Sequence, residues 1–380
     1  MTVAMPEAAE VIALTQRLLR FDTVNPPGQE EACARHIGAL LEAAGYRVRY
    51  HPCGEGRANL IATIGGQHER APICFTGHID IVPLGVAVWS KDPFAGDTDQ
   101  GRLYGRGSSD MKSGVGAFVT AALALAPHLE RTVGVSLVIT AGEETGCMGA
   151  FELLKTPGAI GRAGAIVVAE PTANYPYVGH RGAYWLNATT TGVTAHGSMP
   201  EKGVNAVYQG AHAVTRLEQF RFSTPPHAMM GQGTLNVGTF HGGLNINSVP
   251  DQARIGIDIR TVPTQKHAHI RHELCAVLGP DVHLETLLDV ESVYSDPDDE
   301  WVQSVFDVMQ PYLGTRPEAR TATYFTDAAA LKPAYGNPPT LILGPGEPQM
   351  AHQTDEYCEL ERVIQSTDAF IEIMRHWCKA

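Results

Sequence analysis

The chain has 380 residues, of which 44% are hydrophobic and 18% charged, a composition that is ordinary for a globular protein. The length exceeds what one hydrophobic core usually fills, so we expect about two domains. The formal net charge of −13, without a cluster of basic residues to offset it, argues against binding to nucleic acid or to an anionic membrane surface.

The cysteines and the N-terminal sequence indicate a reducing compartment. The seven cysteines are scattered and include no Cys-x-x-Cys pair, so neither a disulfide framework nor a thiolate zinc site is expected. The N-terminus lacks a basic segment followed by an apolar core, and no run of about 18 apolar residues occurs in the chain. We therefore expect a cytoplasmic protein with no cleaved leader and no membrane span.

Apolar periodicity predicts helices that alternate with short, continuously apolar strands in the first part of the chain. The predicted helices span residues 7–20, 30–44 and 112–126, and the predicted strands span residues 47–51, 59–64, 73–76, 133–140 and 165–169. Strands that are apolar throughout are typical of a sheet covered on both faces. The pattern therefore predicts an α/β fold with a mixed, mainly parallel central sheet.

The pattern changes between residues 182 and 293, where half-exposed strands and two helices follow the order β-α-β-β-α-β. The strands are predicted at 184–191, 234–240, 253–260 and 282–287, and the helices at 204–220 and 267–278. This order is that of a ferredoxin-like unit. We predict that residues 182–293 form a domain inserted into a catalytic domain made of residues 1–181 and 294–380.

After the inserted domain, the chain returns to the first pattern. Helices are predicted at 300–313, 327–335 and 359–377, and a strand at 340–343. Four apolar strands of the catalytic domain then end near side chains able to bind or activate a metal ion. In strand order, these residues are His78 and Asp80, Glu143 and Glu144, Glu170, and His352. Open α/β sheets place ligand sites at strand ends, so we predict one site there.

Two zinc ions about 3.5–4 Å apart need a bridging carboxylate and further ligands on each side. Two histidines and three carboxylates match that need: His78, Asp110, Glu144, Glu170 and His352. Any one of them alone is more often a polar loop residue, and the prediction depends on their combination. Asp80, two positions beyond His78 on an extended segment, is placed to orient the imidazole. Glu143 is the candidate general base for a metal-activated water.

Several motifs resemble those of the acetylornithine deacetylase, succinyl-diaminopimelate desuccinylase and carboxypeptidase G family. They are Gly77-His78-Ile-Asp80, Gly105-Arg-Gly-Ser-Ser-Asp110-Met-Lys, Glu143-Glu144, Ala169-Glu170-Pro-Thr and Ala195-His196-Gly-Ser. The similarity covers nearly the whole chain, including the inserted domain. The resemblance implies a dinuclear zinc amidohydrolase, with cobalt or manganese able to substitute.

The same resemblance implies a role for each residue of the site. His78 and Glu170 would hold one zinc ion, Glu144 and His352 the other, and Asp110 would bridge them. Family members usually form dimers through the inserted domain, so we expect a homodimer through residues 182–293. In such dimers the Ala-His-Gly-Ser histidine, here His196, reaches the substrate in the neighbouring subunit's site.

Three further residues are expected to bind substrate, and each has a structural alternative. Asn247 lies in a segment that resembles the family's Asn-x-x-Pro element, but it could equally cap a turn. Arg260 resembles the arginine that grips the substrate α-carboxylate, but a structural pair with Asp258 is also plausible. Thr326, or the neighbouring Asp327, either contacts the substrate side chain or caps the helix that follows. Apart from the family resemblance, the sequence around His196 indicates only a histidine in a surface turn.

The sequence therefore predicts a metal-dependent amide hydrolase that removes the acyl group from an N-acyl-L-amino acid. Residues 343–357 are most like acetylornithine deacetylases, which favours a substrate with a basic side chain. A dipeptidase, a carboxypeptidase or a desuccinylase with the same metals is the alternative. A non-catalytic binding protein on this fold is a third class, but all of the predicted ligands and the base are present.

Overall fold

The computed structural model describes residues 5–380, which form two compact units. The first unit comprises the described residues up to Gly179 together with Tyr294–Arg320 and Thr326–Ala380, and the second comprises His180–Val293 and Thr321–Phe325. None of the helices within residues 5–380 combines the length and apolar character that crossing a bilayer requires.

Nine helices and sixteen strands are present in the described part of the chain. The helices are α1 (Ala8–Leu19), α2 (Glu31–Ala43), α3 (Ser113–Leu129), α4 (Met148–Leu154), α5 (Ala206–Glu218), α6 (His267–Leu278), α7 (Glu300–Leu313), α8 (Ala328–Ala334) and α9 (Leu360–Cys378). The strands are β1 (Arg47–Gly54), β2 (Arg57–Ile64), β3 (Ile73–His78), β4 (Thr98–Asp99), β5 (Arg102–Tyr104), β6 (Val135–Thr140), β7 (Ala165–Val168), β8 (Tyr177–His180), β9 (Gly182–Thr191), β10 (Thr234–Gly242), β11 (Gln252–Thr261), β12 (Val282–Val290), β13 (Val293–Tyr294), β14 (Arg320–Ala322), β15 (Thr340–Ile342) and β16 (Tyr357–Glu359).

A nine-stranded mixed sheet has the order β1-β2-β6-β3-β7-β15-β8-β13, and its ninth strand, β14, pairs with β8. At its centre, β3 pairs in parallel with β6 and β7, and β15 pairs in parallel with β7. Every residue of these four strands is buried, because helices cover both faces. The carboxyl ends of the four strands therefore lie along one edge of the sheet. The predicted α/β fold with a mixed sheet is confirmed.

The core of the first unit forms where helices pack on this sheet. Phe75 of β3 contacts the rings of Phe118 on α3 and Phe370 on α9, with ring centroids 6.2 and 5.2 Å apart. All three side chains are fully buried. Helix α3 is apolar on nearly every side because it lies between the sheet and other helices. This packing fixes α3 just after the loop that carries Asp110.

The second unit has a four-stranded antiparallel sheet in the order β10-β11-β9-β12. Helices α5 and α6 pack on one face of it, and alternate residues of β11 and β12 are buried against them. Asn205 caps the start of helix α5, because its side-chain oxygen accepts hydrogen bonds from the backbone N–H groups of Val207 and Tyr208. The chain order of these elements is β-α-β-β-α-β.

The elements that the sequence pattern did not predict are short. Helix α4 has seven residues, and strands β4, β5 and β16 form a three-stranded sheet with two or three residues in each strand. Alternation cannot be recognised over so few residues. Residues 321–325, which the sequence pattern groups with the C-terminal part, cluster with the second unit, where Arg181 donates its backbone N–H to Ala322 O at 3.2 Å.

Candidate metal centre

Residues from two strand ends and from the segment before α3 meet in a first group of potential metal ligands. His78 is the last residue of β3, and Glu170 follows β7 after one residue. His78 Nε2 lies 3.1 Å from Asp110 Oδ1 and 3.8 Å from Glu170 Oε1. Their ligand atoms all lie within 4.8 Å of one another. The group is buried or half-buried, so its charges are poorly screened.

A second group shares Asp110 with the first. His352 Nε2 lies 3.5 Å from Asp110 Oδ2 and 3.1 Å from Glu144 Oε2. The two oxygens of Asp110 thus face different histidines, Oδ1 towards His78 and Oδ2 towards His352. A carboxylate with one oxygen in each group is the arrangement that two neighbouring cations require. The structure brings together all five predicted ligands, and their ligation of metal stays a prediction.

Asp80 connects the end of β3 to the loop after β6. Its carboxylate accepts hydrogen bonds from the backbone N–H groups of Glu143 and Glu144, at 3.1 and 3.2 Å, and from Asn25 Nδ2 at 2.9 Å. His78 Nδ1 lies 2.9 Å from the backbone oxygen of Asp80 and 3.4 Å from its Oδ1. Asp80 therefore contacts the imidazole and also holds the loop with the two glutamates, and its role in orienting His78 stays a prediction. The sequence did not indicate this second contact or the part of Asn25.

Glu143 lies beside the first group without belonging to either. Its Oε2 is 4.0 Å from His78 Nε2, and the residue is 5% exposed. The thiol of Cys147, one turn further along, donates to Glu143 Oε1 at 3.8 Å. A carboxylate that is close to the ligands but separate from them can accept a proton without leaving a cation. This position suits the predicted general base.

The electrostatics of the cluster reflect an excess of buried acids. Burial raises the pKa of Glu143, Glu144 and Glu170, and repulsion from neighbouring carboxylates raises each further. Hydrogen bonds to Asp110 and Glu144 raise the pKa of His352 to about 10. Two imidazoles cannot balance this many carboxylates, so bound cations would stabilise the cluster.

The donor set also fits metal ions chemically. Imidazole nitrogens and carboxylate oxygens are the ligands that zinc accepts in open sites, and cobalt and manganese accept them as well. Glu144 Oε1 is buried and has no hydrogen-bond partner among the described residues, which is unusual for a carboxylate oxygen. The residues therefore fit a two-metal centre, with His78 and Glu170 on one side of Asp110 and Glu144 and His352 on the other.

The predicted residues of the second unit fall at two ends of its sheet. His196 and Asn247 are exposed and adjacent, because Gly197 donates its backbone N–H to Asn247 O at 2.7 Å. They lie near Gln252, where β11 begins, whereas Arg260 lies near its end. Eight residues of extended strand separate these ends by about 27 Å. Within one chain, Arg260 therefore does not join the other two in a single cluster.

Arg260 makes the pair with Asp258 that was considered as the structural alternative. Its Nε lies 3.0 Å from Asp258 Oδ1, and Trp185 Nε1 donates to the same carboxylate oxygen at 2.8 Å. The pair uses Nε and not the terminal Nη atoms of the guanidinium. About a third of the Arg260 side chain is exposed. The residue can therefore still present its two Nη groups to a carboxylate.

Thr326 makes the capping contact, because its Oγ1 accepts a hydrogen bond from the backbone N–H of Ala328 at 3.1 Å. The residue is fully buried. Its contact with substrate stays a prediction. Asp327 is also buried, at 2% exposure, and accepts a short hydrogen bond from Thr140 Oγ1 at the end of β6. Burial raises the pKa of Asp327 to about 6. Asp327 immediately precedes α8, but its side chain makes no capping hydrogen bond to that helix.

The sequence profile of peptidase family M20/M25/M40 matches residues 74–376. An acetylornithine deacetylase of Proteus mirabilis is 30% identical over 364 residues, which cover 92% of this chain and 91% of the relative. A probable succinyl-diaminopimelate desuccinylase of Staphylococcus aureus is 30% identical over 404 residues, with 97% and 98% covered.

Solved structures share the fold. A metallo-carboxypeptidase of the M20 family from Sulfolobus solfataricus superposes with a TM-score of 0.79 at 16% identity, over 96% of this chain and 99% of that one. A tripeptidase from Staphylococcus aureus superposes with a TM-score of 0.76 at 20% identity, over 99% of this chain and 100% of that one. At such identities the agreement concerns the fold alone.

Proposed function

Because the chain belongs to peptidase family M20/M25/M40, whose relatives here support metal-dependent amide hydrolysis, we propose that it removes the acyl group from an N-acyl-L-amino acid. The observation that carries the proposal is Asp110, which places one carboxylate oxygen in each of two ligand groups. Two zinc ions would be held there, and cobalt or manganese would substitute. An acetylornithine-like substrate is favoured by the relative that carries that activity in its name.

The residues of the candidate site have separate roles in the proposed hydrolysis. Bound metal ions supply Lewis acidity that polarises the amide carbonyl and makes a water molecule more acidic. Glu143 takes a proton from the attacking water and later delivers it to the nitrogen of the leaving amine. Asp80 keeps His78 and the loop of Glu143 and Glu144 in place.

The predicted substrate residues supply recognition. His196 would donate a hydrogen bond to the oxyanion that forms at the carbonyl. Arg260 would bind the α-carboxylate through its terminal Nη groups, and Asn247 and Thr326 would contact other parts of the substrate. Since His196 and Arg260 lie at opposite ends of one sheet, a site that contains both is more readily built from two chains than from one.

The second unit supports assembly into a homodimer. Residues 244 and 246 expose apolar side chains almost completely, with Leu244 at 99% and Ile246 at 104%, and Tyr208 on α5 is 68% exposed. Strand β10 lies at the edge of its sheet, so one side of its backbone is available for pairing. Exposed apolar residues beside an open strand edge are typical of an interface between proteins. We propose that this surface of residues 182–293 pairs with a second copy of the chain.

Mixing two inactive variants tests the shared site. Glu143→Ala removes the base and His196→Ala removes the oxyanion donor, so neither homodimer should turn over. After subunit exchange, about a quarter of the active sites in a statistical mixture would combine an intact Glu143 with an intact His196 from the partner, and activity should partly return. Mass spectrometry of differently tagged chains verifies exchange. No recovery after verified exchange would contradict action across the dimer.

The substrate class is tested by free-amine release from N-acetyl-, N-succinyl- and N-formyl-amino acids beside simple dipeptides. The zinc-loaded protein and a chelated control are compared. Chelator-sensitive release from the acyl amino acids, highest for basic side chains, is the expected result. Release from N-succinyl substrates alone would indicate the desuccinylase alternative, and release from dipeptides alone would indicate a peptidase.

We propose that the protein is cytoplasmic, as expected from its sequence. All seven cysteines are free thiols in the structure, and five of them are buried. Their arrangement supports our proposal of a reducing, cytoplasmic environment.

A further inference from the structure

A buried carboxylate outside the proposed chemistry organises the loop that carries Asp110. Glu356 is fully buried, and its carboxylate accepts hydrogen bonds from the backbone N–H groups of Gly107, Ser109 and Asp110, at 3.0, 2.8 and 2.9 Å. It also accepts a hydrogen bond of 2.6 Å from Arg106 Nη1. Four donors thus converge on one side chain, and three of them belong to the backbone that ends at the shared ligand.

Arg106 extends this contact to two other segments. The residue is 2% exposed, and its guanidinium donates to the backbone oxygens of His352, Gln353 and Pro83, at 3.4, 3.2 and 3.5 Å. Pro83 follows the segment of His78 and Asp80 by three residues. The buried pair therefore joins the Asp110 loop, the His352 loop and the chain after β3, which are three of the segments that carry predicted ligands.

The buried pair of Glu356 and Arg106 makes more directed hydrogen bonds than the stability of the fold alone would require. Burying an ion pair costs several kcal/mol of desolvation for each charge, and an apolar pair of similar volume often stabilises a protein as well. What an apolar pair cannot do is accept three backbone N–H groups on one side and donate to three carbonyls on the other. Glu356 and Arg106 therefore fix the positions of Asp110 and His352, whose Oδ2 and Nε2 atoms lie 3.5 Å apart.

We propose that Glu356 and Arg106 are positioning residues that set the separation of Asp110 and His352, and thereby the affinity of the second metal site. This inference rests on the proposed function because it takes the two groups around Asp110 as metal sites. The site of Glu144 and His352 should depend on the pair most, because both Asp110 and His352 are held by it. The site of His78 should depend on it less, because His78 belongs to the central strand β3.

The test is a titration of the metal-free Glu356→Gln variant and the metal-free wild-type protein with metal ions. Binding of Zn²⁺ is measured by calorimetry, and binding of Co²⁺ by its visible absorption. Burial raises the pKa of Glu356 to about 7. The titration is done at about pH 8, above that value, so that the wild-type side chain is ionised. The glutamine amide keeps the shape but turns one acceptor into a donor. We expect the site of Glu144 and His352 to weaken about 10- to 100-fold and the site of His78 to change little, and the reverse result would contradict the proposal.

Glu347→Gln is the matched control. Glu347 is 3% exposed and pairs with Arg362 by a short hydrogen bond, but among residues 5–380 its carboxylate accepts hydrogen bonds only from the side chains of Arg362 and Gln349. The control should lose stability without losing metal affinity. Unchanged affinities in Glu356→Gln, or an equal loss in Glu347→Gln, would overturn the proposal.

Two further measurements keep the inference separate from the proposed function. Arg106→Lys, which keeps the charge but removes the planar fork, should weaken the same site if Glu356→Gln fails to fold. Hydrogen exchange of the metal-free protein should show faster exchange at Gly107, Ser109 and Asp110 in Glu356→Gln, with the amides of β3 unchanged. Unchanged exchange at the three amides would contradict the proposal even if the wild-type protein bound no metal. If the variants changed metal affinity as expected but the wild-type protein hydrolysed no acyl amino acid, the proposed function alone would be refuted.

Discussion

The substitution Asp80→Asn tests whether the loop of Glu143 and Glu144 is held in place from β3. The carboxylate accepts both backbone N–H groups of that loop and the amide of Asn25. Asparagine offers one acceptor oxygen and one NH₂ group, so at least one of these buried donors loses its partner. An unsatisfied buried donor costs about 1–3 kcal/mol, and the lost charge weakens the remaining bonds. We expect a loss of about 3 kcal/mol in unfolding free energy.

The functional effect of Asp80→Asn should exceed its effect on stability. Removing a group that orients a metal ligand typically costs about 10- to 100-fold in metal affinity or activity. Leu41→Ala on α2, a fully buried position far from any predicted ligand in sequence, should lose about 2–5 kcal/mol and serves as the control. Urea unfolding, metal titration and kcat are measured on both variants. Equal metal affinity and kcat in Asp80→Asn and the wild-type protein would refute the reasoning.

Two other predictions concern stability. Burial lowers the pKa of His180 to about 4 from its ordinary value of 6.5, so the unfolded chain binds a proton more readily, and stability is lost as the pH falls from 6.5 towards 4. His180→Gln should remove about 3 kcal/mol of that pH dependence in urea unfolding, and an unchanged slope would contradict the assignment. A Cβ at Gly114 would lie 2.1 Å from Ala169 O, beside Glu170, so Gly114→Ala should cost about 1–3 kcal/mol and weaken metal binding. Gly116→Ala on the same helix meets the side chain of Thr15 and not a backbone oxygen, so it should cost less; equal losses in both variants would argue against the backbone clash.

Much of the candidate metal centre could be predicted because most of its predicted ligands follow strands that are apolar throughout. Strands such as β3 and β6 are buried on both faces, so their sequences show their ends clearly. Parallel pairing then brings those ends to one edge of the sheet. His78, Glu144 and Glu170 were found in this way, and the family motifs supported the same residues.

The supporting contacts could not be predicted because they join residues that are remote in sequence. Arg106 and Glu356 are 250 positions apart, and no local pattern indicates that they pair. Asn25 precedes two prolines, and no local pattern relates it to Asp80, to which its side-chain amide donates a hydrogen bond. The acid beside Arg260 was visible in the sequence, but only the structure shows that Asp258 engages Nε.

The most direct test of the account is Glu143→Gln, with metal content and turnover measured on the same sample. Because Glu143 lies outside both ligand groups, the variant should bind two metal ions per chain, as the wild-type protein should. Turnover of the best acyl amino acid should fall about 100- to 10,000-fold, since a general base contributes on that scale. Turnover within about threefold of the wild-type value, with both metal ions bound, would contradict the assignment of Glu143 as the base.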